Sequence, residues 1–176
     1  KVVTTIREWV SNGGGFIGVI DPSAEEHGGA FYQIHDVLGV QREIGHSVCV
    51  GKNIPVQLQA NHFITEDLNS KLDLGDTVAA VYPCLHSTEI LATDERGGVT
   101  LATNAFGNGQ GIYLAGFKLG AEQSRLLLRA IYYAAGKEAD MAKHWYSTNI
   151  HTEIAAYPET QKYVVANNSG DTVETK

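Results

Sequence analysis

The stretch that most constrains the fold is residues 13–29, which read GGGFIGVIDPSAEEHGG. Residues 16–20 form a short, uninterrupted apolar run between three glycines and an Asp-Pro-Ser turn. A run of this kind is typical of a strand buried on both faces, as in a parallel sheet covered by helices. The turn ends the strand abruptly, so residues 21–29 form a polar loop at its carboxyl end. In open α/β sheets ligands usually bind there, and this loop is the first place to expect a functional site.

Hydrophobic periodicity predicts three helices, at residues 2–12, 30–38 and 120–135, each followed by a glycine-containing stop signal. Six short strands are expected, at residues 47–50, 55–58, 77–82, 88–93, 99–104 and 112–117. The last strands are separated by the glycine-rich turns at 94–98 and 107–109, which predicts an antiparallel meander.

Two further local patterns lie outside these elements. Residues 62–68 read as a turn into a short helix, with Thr65 as its N-cap. Residues 150–157 and 162–166 predict a β-hairpin, with Pro158 at the second position of its turn, and a further strand is expected to start at 172–173. Because an isolated hairpin is marginal in water, this one is expected to pack on the preceding part or to belong to a β-domain.

The pattern as a whole predicts an α/β fold with two parts. Residues 1–143 form a layered α/β domain, and residues 144–176 begin a C-terminal β-domain. The chain starts inside a helical pattern, and a helix followed by a buried strand is half of a βαβ unit. We therefore expect an α/β domain truncated at its N-terminus and a longer parent polypeptide.

Composition excludes several classes of function. The formal net charge of −7 argues against nucleic acid or an anionic membrane as partner. No apolar stretch approaches the ~18 residues that a membrane span requires. Two cysteines, Cys49 and Cys84, do not make a disulfide framework, and we interpret both as reduced thiols of a cytoplasmic protein.

Cys84, His86 and Glu89 are the residue types of thiol catalysis, in which a histidine activates the sulfur. Three features argue against this role. Catalytic cysteine and histidine usually come from different elements, Cys84 has no flanking glycines that would form a strained elbow, and residues 86–93 read as ordinary strand.

Other groups of polar residues are weaker candidates. The seven histidines show no metal-binding spacing; they are His27, His35, His46, His62, His86, His144 and His151. Asp21, Glu25 and Glu26 follow the buried strand and could serve sugar chemistry, which needs two carboxylates ~5–10 Å apart, but the adjacent glutamates are equally typical of a solvated loop. The glycines at 13–15 precede a strand and lack the order of a phosphate-binding loop. We therefore expect no cofactor, no metal and no catalytic residue in this chain.

Several segments together resemble a known family. They are WVSNGGGFIGVIDPSA, FYQIHDVLGV, NHFITEDL, TNAFGNGQGIYLAGF and RLLLRAIYYAAGKE, followed by YSTNIHTEIAAYPETQKYVVANNS. The first five are similar to the middle domain of galacto-N-biose/lacto-N-biose phosphorylases, and the last resembles the start of that family's C-terminal β-domain. The GNGQGIYLAG hairpin before a helix also occurs in glutamine-amidotransferase-like domains, including ThuA-like proteins and a domain of certain β-galactosidases.

The resemblance implies a glutamine-amidotransferase-like (flavodoxin-like) layered sheet. It implies a parent enzyme that uses phosphate to cleave a β-galactoside with inversion, releasing α-galactose 1-phosphate, with its general acid in an N-terminal barrel outside this chain. Catalytic amidotransferases place a cysteine after the central strand, whereas residues 21–24 here read Asp-Pro-Ser-Ala. Ser23 could nominally replace that cysteine, but the elbow glycines are missing, so the hydrolase chemistry is expected to be lost.

Three hypotheses follow. The first is a non-catalytic module of a galactoside phosphorylase that packs against the barrel domain and in a homo-oligomer. The second is an autonomous thiol hydrolase that uses Cys84. The third is a ThuA-like or sugar-binding module that uses residues 21–29. The sequence leaves open whether the parent's second sugar is an N-acetylhexosamine or rhamnose.

Overall fold

The computed structural model describes residues 1–25, 31–43, 61–66, 68 and 73–176. In these ranges the helices are α1 (Val2–Ser11), α2 (His35–Leu38), α3 (Ala121–Ala134) and α4 (Glu138–Met141). The strands are β1 (Gly15–Val19), β2 (Val40–Arg42), β3 (Val81–Pro83), β4 (Thr88–Thr93), β5 (Val99–Phe106), β6 (Gly109–Leu114), β7 (Thr152–Tyr157) and β8 (Lys162–Asn167). None of the helices in these ranges is both long enough and apolar enough to cross a bilayer.

A four-stranded mixed sheet organises the α/β part, with the strand order β1-β6-β5-β4. The strands β4, β5 and β6 are antiparallel neighbours, which confirms the predicted meander. Strand β1 pairs with β6 in parallel, from Gly15 opposite Gln110 to Val19 opposite Leu114. The strand predicted at 77–82 is shorter and lies elsewhere: it is β3, which pairs with β2 in a separate two-stranded sheet.

Two apolar clusters lie on opposite faces of the four-stranded sheet, because neighbouring residues of a strand point to opposite sides. On one side, Val10 of α1 and Val37 and Leu38 of α2 pack with Tyr113 of β6. On the other, Leu126 and Ala130 of α3 pack with Ile112 and Leu114 of β6. The same alternation in β1 sends Phe16 to the first cluster and Ile17 to the second. Helices therefore cover both faces of the sheet, as the apolar run at residues 16–20 predicted.

The prediction that this run is fully buried is wrong. Strand β1 is an edge strand of the described sheet, and only Gly18 within it is buried. Val19 is 37% exposed and Ile20 is 46% exposed. A five-residue apolar run is compatible with helices on both faces, but it carries no information about how many strands lie beside it.

Other predicted elements are only partly present. The second predicted helix reduces to His35–Leu38, because Tyr32 forms an isolated bridge with Ala24 before the helix begins. The predicted N-cap at Thr65 is wrong, since its hydroxyl donates to the carbonyl of His62 within a turn. Residues 172–173 are not a strand. The strands predicted at 47–50 and 55–58 lie outside the described residues.

The C-terminal hairpin is confirmed, with β7 and β8 antiparallel and a 3-10 turn at Pro158–Thr160 between them. Every residue of β8 is exposed, and Tyr163 stacks on Trp145, which is also exposed. A side chain of α3 links this part to the α/β part: the guanidinium of Arg125 donates to the carbonyl of Ser147 at 2.8 Å and lies 5.4 Å from the ring centre of Tyr146.

Two of the three consecutive glycines allow close packing at the start of β1. An added Cβ would lie 2.1 Å from the indole nitrogen of Trp9 at Gly14, and 2.3 Å from the carbonyl oxygen of Ala134 at Gly15. Gly14 and Gly15 therefore have a packing role. They let α1 and the end of α3 approach the backbone from either side.

Replacing Gly15 by alanine should lower the free energy of unfolding by ~1–3 kcal/mol, because the new methyl group would overlap the main chain of α3. Gly170→Ala is the control, since a Cβ there meets nothing within 4 Å. Urea titration of both variants measures the difference. Equal stability of the two variants would contradict the close approach.

Candidate functional site at the carboxyl end of the first strand

The chain leaves the sheet at Ile20 through a strained turn. The amide of Ile20 still donates to the carbonyl of Leu114 at 2.8 Å, so the residue is the last to be tied to β6. Its φ is +65°, and that of Ser23 is +57°. The left-handed conformation is a genuine outlier for a β-branched residue and costs ~1–2 kcal/mol. Strain of this kind clusters at functional sites, so the turn is the natural place to look for chemistry.

The carbonyl of Ile20 is held by two buried tyrosines. The hydroxyls of Tyr32 and Tyr113 lie 3.1 and 3.0 Å from its oxygen and 3.1 Å from each other. Burial raises the pKa of Tyr113 to about 12 and also raises the pKa of Tyr32, so both hydroxyls keep their protons at neutral pH. The two protons match two acceptors, namely the Ile20 carbonyl and the carboxylate of Asp21, which lies 3.1 Å from the Tyr32 hydroxyl.

Asp21 is also occupied by an arginine. Nη1 of Arg42 lies 2.7 Å from Oδ1 and 2.6 Å from Oδ2 of Asp21, while Nε of Arg42 donates to the carbonyl of Ala79 at 3.2 Å. The guanidinium also lies 5.6 Å from the ring centre of Phe31. With both oxygens paired, this carboxylate is arranged to hold β2 against the turn. It is not presented to a sugar.

The remaining polar residues of the loop make no catalytic group among the described residues. Oγ of Ser23 accepts from the amide of Ile34 at 3.3 Å, and the Ser23 carbonyl accepts from Gln33. Glu25 is exposed. Glu26 and His27, which the carboxylate and metal hypotheses also used, lie outside the described residues. The residue at the strained position directly after the strand is Ile20, and its side chain has no nucleophilic atom.

Cys84 is not arranged for thiol catalysis. Its sulfur lies 3.7 Å from the carbonyl oxygen of His35, and its amide donates to Gly39. Burial, together with the nearby charge of Asp36, raises the pKa of the Cys84 thiol to about 11. Reactive cysteines instead have a lowered pKa in an electropositive setting.

The two predicted partners of Cys84 lie elsewhere. His86 is exposed in the turn before β4. Glu89 lies beside His62, with 3.8 Å between Oε2 and Nε2. His62 is buried, its Nδ1 accepts from the amide of Ile64 at 3.1 Å, and burial lowers its pKa. The structure thus does not bring the predicted triad together.

The other histidines make no metal site in the part of the chain that the structure describes. No three His, Cys, Asp or Glu side chains there are grouped closely enough to hold an ion. His35 contacts the carbonyl of Tyr32 through Nδ1 at 3.1 Å, and His151 is exposed. His46 and Cys49 lie outside the described residues, as His27 does.

Sequence reasoning missed the residues that shape the turn. Tyr113 lies in an apolar strand and Tyr32 in a predicted helix, where each reads as an ordinary core aromatic. Arg42 is 21 positions from Asp21, and no local pattern links the two. The sequence did indicate where the turn lies, because an apolar strand followed by Asp-Pro marks the end of the strand. It did not indicate which distant residues contact the turn.

Sequence comparisons match the chain to two consecutive domains of one protein family. Residues 1–139 match the family described as "Lacto-N-biose phosphorylase central domain", and residues 145–176 match "Lacto-N-biose phosphorylase C-terminal domain". The chain belongs to the lacto-N-biose phosphorylase family. This confirms the resemblance to galacto-N-biose/lacto-N-biose phosphorylases. The predicted division at residues 143 and 144 stays a prediction.

Two curated relatives carry the same description, 1,3-beta-galactosyl-N-acetylhexosamine phosphorylase. Cphy3030 of Lachnoclostridium phytofermentans is 42% identical over 99% of this chain, which covers 24% of that protein. The protein of Bifidobacterium longum is 33% identical over 99% of this chain and 27% of its own length. The chain therefore spans about a quarter of the length of these relatives.

A solved structure also shows partial similarity to the chain. The β-galactosidase from Bacillus circulans sp. alkalophilus aligns with 87% of this chain and 22% of its own, at 16% identity and a TM-score of 0.43. A similarity of this size does not support a common fold. The α/β class with a C-terminal hairpin is therefore shown by the chain's own structure, and the amidotransferase-like fold stays a prediction.

Strain at Ile20 can be measured with a pair of glycine substitutions. Ile20→Gly relieves the left-handed conformation, whereas Val19→Gly removes a similarly exposed side chain from regular strand. We expect Ile20→Gly to lower the free energy of unfolding by ~1–2 kcal/mol less than Val19→Gly does in urea titrations. A larger loss at position 20 would show that the turn is unstrained.

The raised pKa of Cys84 predicts slow alkylation. In a Cys49→Ser background, iodoacetamide at pH 8 should label Cys84 at least ~10-fold more slowly than a free model thiol, because little thiolate is present. The rate should rise steeply as the pH approaches 11. Rapid labelling of the folded protein at pH 7 would restore the thiol-hydrolase hypothesis.

Proposed function

We propose that this chain is a non-catalytic joining module of a longer disaccharide phosphorylase. The parent polypeptide would cleave a β-1,3-galactosyl-N-acetylhexosamine with phosphate, giving α-galactose 1-phosphate and the free N-acetylhexosamine. The observation that carries the proposal is the strained turn after β1. The strained position of this turn is occupied by Ile20, which has no nucleophilic atom. The polar groups around it, Asp21, Arg42 and the two tyrosines, are paired with one another.

A packing role is supported by how the module is connected and by what it exposes. The contact of Arg125 with Ser147 joins the α/β part to the hairpin. The hairpin presents Tyr157, Tyr163 and Val164, which are each more than half exposed and are the kind of side chains that interfaces bury. The proposed occupants are the parent's barrel domain and further copies of the enzyme.

The choice of N-acetylhexosamine as second sugar rests on the relatives. Three proteins with the N-acetylhexosamine description are 42%, 35% and 33% identical to this chain. A D-galactosyl-beta-1->4-L-rhamnose phosphorylase, also from Lachnoclostridium phytofermentans, is 29% identical. The order of these identities favours the N-acetylhexosamine, and rhamnose is the alternative outcome of the assay.

The test uses the longer polypeptide that contains this chain. It should release galactose 1-phosphate from galactosyl-N-acetylhexosamine and phosphate, and Ser23→Ala and Cys84→Ala should each leave kcat/KM within about twofold, because neither side chain touches the substrate. The control, Arg125→Ala, should lower the thermal midpoint. Arg125→Lys should restore it in part, since one donor remains.

Two results would contradict the joining role, and a third would change only the second sugar. A loss of kcat of ~100-fold or more in a folded Ser23→Ala or Cys84→Ala variant would assign chemistry to this module. Phosphorolysis by the 176 residues alone would do the same. Activity only with a rhamnoside would keep the joining role and replace the second sugar.

A further inference from the structure

The outer edge of β1 has backbone groups that no described residue pairs. The amide of Ile20 bonds to β6, and the carbonyl of Gly14 accepts from Gln110 of the same strand. Because backbone groups along a strand alternate in direction, Phe16 and Gly18 also face β6. Ile17 and Val19 then direct their amides and carbonyls away from the sheet, together with Gly15.

The indole of Trp9 confirms this assignment at one end of the edge. It donates to the carbonyl of Gly15 at 3.3 Å, which is possible only if that carbonyl points outward. Trp9 is nevertheless 63% exposed and covers only one backbone group, so the rest of the edge has no partner among the described residues. The outward groups of Ile17 and Val19 have no such substitute among the described residues.

The edge lacks the features that usually prevent strand addition. Natural edge strands carry charges, prolines or bulges, whereas β1 reads Gly-Phe-Ile-Gly-Val. The opposite edge of the sheet has these features: β4 carries Glu89, and its register shifts between Ile90 and Thr93. One edge is therefore built to end the sheet and the other to continue it.

A groove lies beside the first half of this edge, at Gly15 and Ile17. It has a volume of about 550 Å³ and is lined by Trp9 of α1, Gly14, Ile17 of β1, and Ile131 and Ala134 of α3. The two helices thus reach past β1 from both faces of the sheet. Ile131 is 50% exposed and, like Ile17, offers an apolar contact to the side chains of an inserted segment.

We propose that this groove holds one further β-strand of the same polypeptide, running parallel to β1. Two observations favour it over a second copy of the chain. Curated relatives are about four times as long, so most of such a polypeptide lies outside these residues. In addition, α1 and β1 are consecutive, packed elements joined by the short turn at 12–14, an arrangement that matches the helix and second strand of a βαβ unit, whose two strands are parallel.

Site-resolved hydrogen exchange in the longer polypeptide tests this proposal, which rests on the chain being part of such a polypeptide. The amides of Ile17 and Val19 should exchange as slowly as those of Phe16 and Gly18, at least ~100-fold more slowly than an unpaired amide. Fast exchange at Ile17 and Val19 beside slow exchange at Phe16 and Gly18 would overturn it. Protection that disappears on dilution would also overturn it, because a second copy would then be the occupant.

A proline substitution gives an independent readout. Val19→Pro removes an outward amide without touching the ladder to β6, and Val19→Ala is its matched control. In the longer polypeptide, Val19→Pro should lower the thermal midpoint by several degrees more than Val19→Ala, whereas equal midpoints would count against the added strand. Neither experiment reads galactoside activity, so a protected edge in an inactive enzyme would refute only the proposed function.

Discussion

The structure depends most on the hydrogen bonds that the Tyr32 and Tyr113 hydroxyls make at the turn after β1. A β-branched residue in the left-handed region costs ~1–2 kcal/mol, and a net hydrogen bond contributes ~1 kcal/mol. The bond from Tyr113 to the Ile20 carbonyl and the bond from Tyr32 to Asp21, with the pairing of Asp21 and Arg42 beside them, are therefore of the size needed to offset the strain. They also connect β1, β2 and β6 at one point. The turn is stable because three separate stretches of chain contribute to it.

The parts of the fold that depend on residues close together in the sequence could be predicted. Glycine-rich turns at 94–98 and 107–109 indicated the meander, and alternation around Pro158 indicated the hairpin, because a hairpin is specified by its own turn. The edge position of β1 and the pairing of β2 with β3 could not be predicted. Both depend on partners tens of residues away, and a strand's own residues do not identify its neighbour.

At the candidate site, too, the sequence predicted the features that depend on residue type and missed those that depend on tertiary contacts. Sequence alone indicated that the loop after β1 lacks a cysteine, because an absent residue type can be read directly. It could not show that Ile20 takes the strained position or that Asp21 is neutralised by Arg42, since both follow from tertiary contacts. For Cys84 the sequence argued against activation by its neighbours, but it could not show the cause. Burial against the carbonyl of His35 keeps the thiol protonated.

The turn after β1 has an isoleucine, with no nucleophilic atom, at its strained position. A catalytic elbow must leave its key side chain accessible and its surrounding donors free for substrate. Here the hydroxyl donors instead bond the main chain and a neighbouring carboxylate, and the arginine pairs with that same carboxylate. Such mutual pairing makes the turn rigid, which suits a module that fixes the positions of its neighbours. Backbone strain is present at Ile20, but the two tyrosine hydroxyls and the Asp21 carboxylate beside it are paired within the described part of the chain.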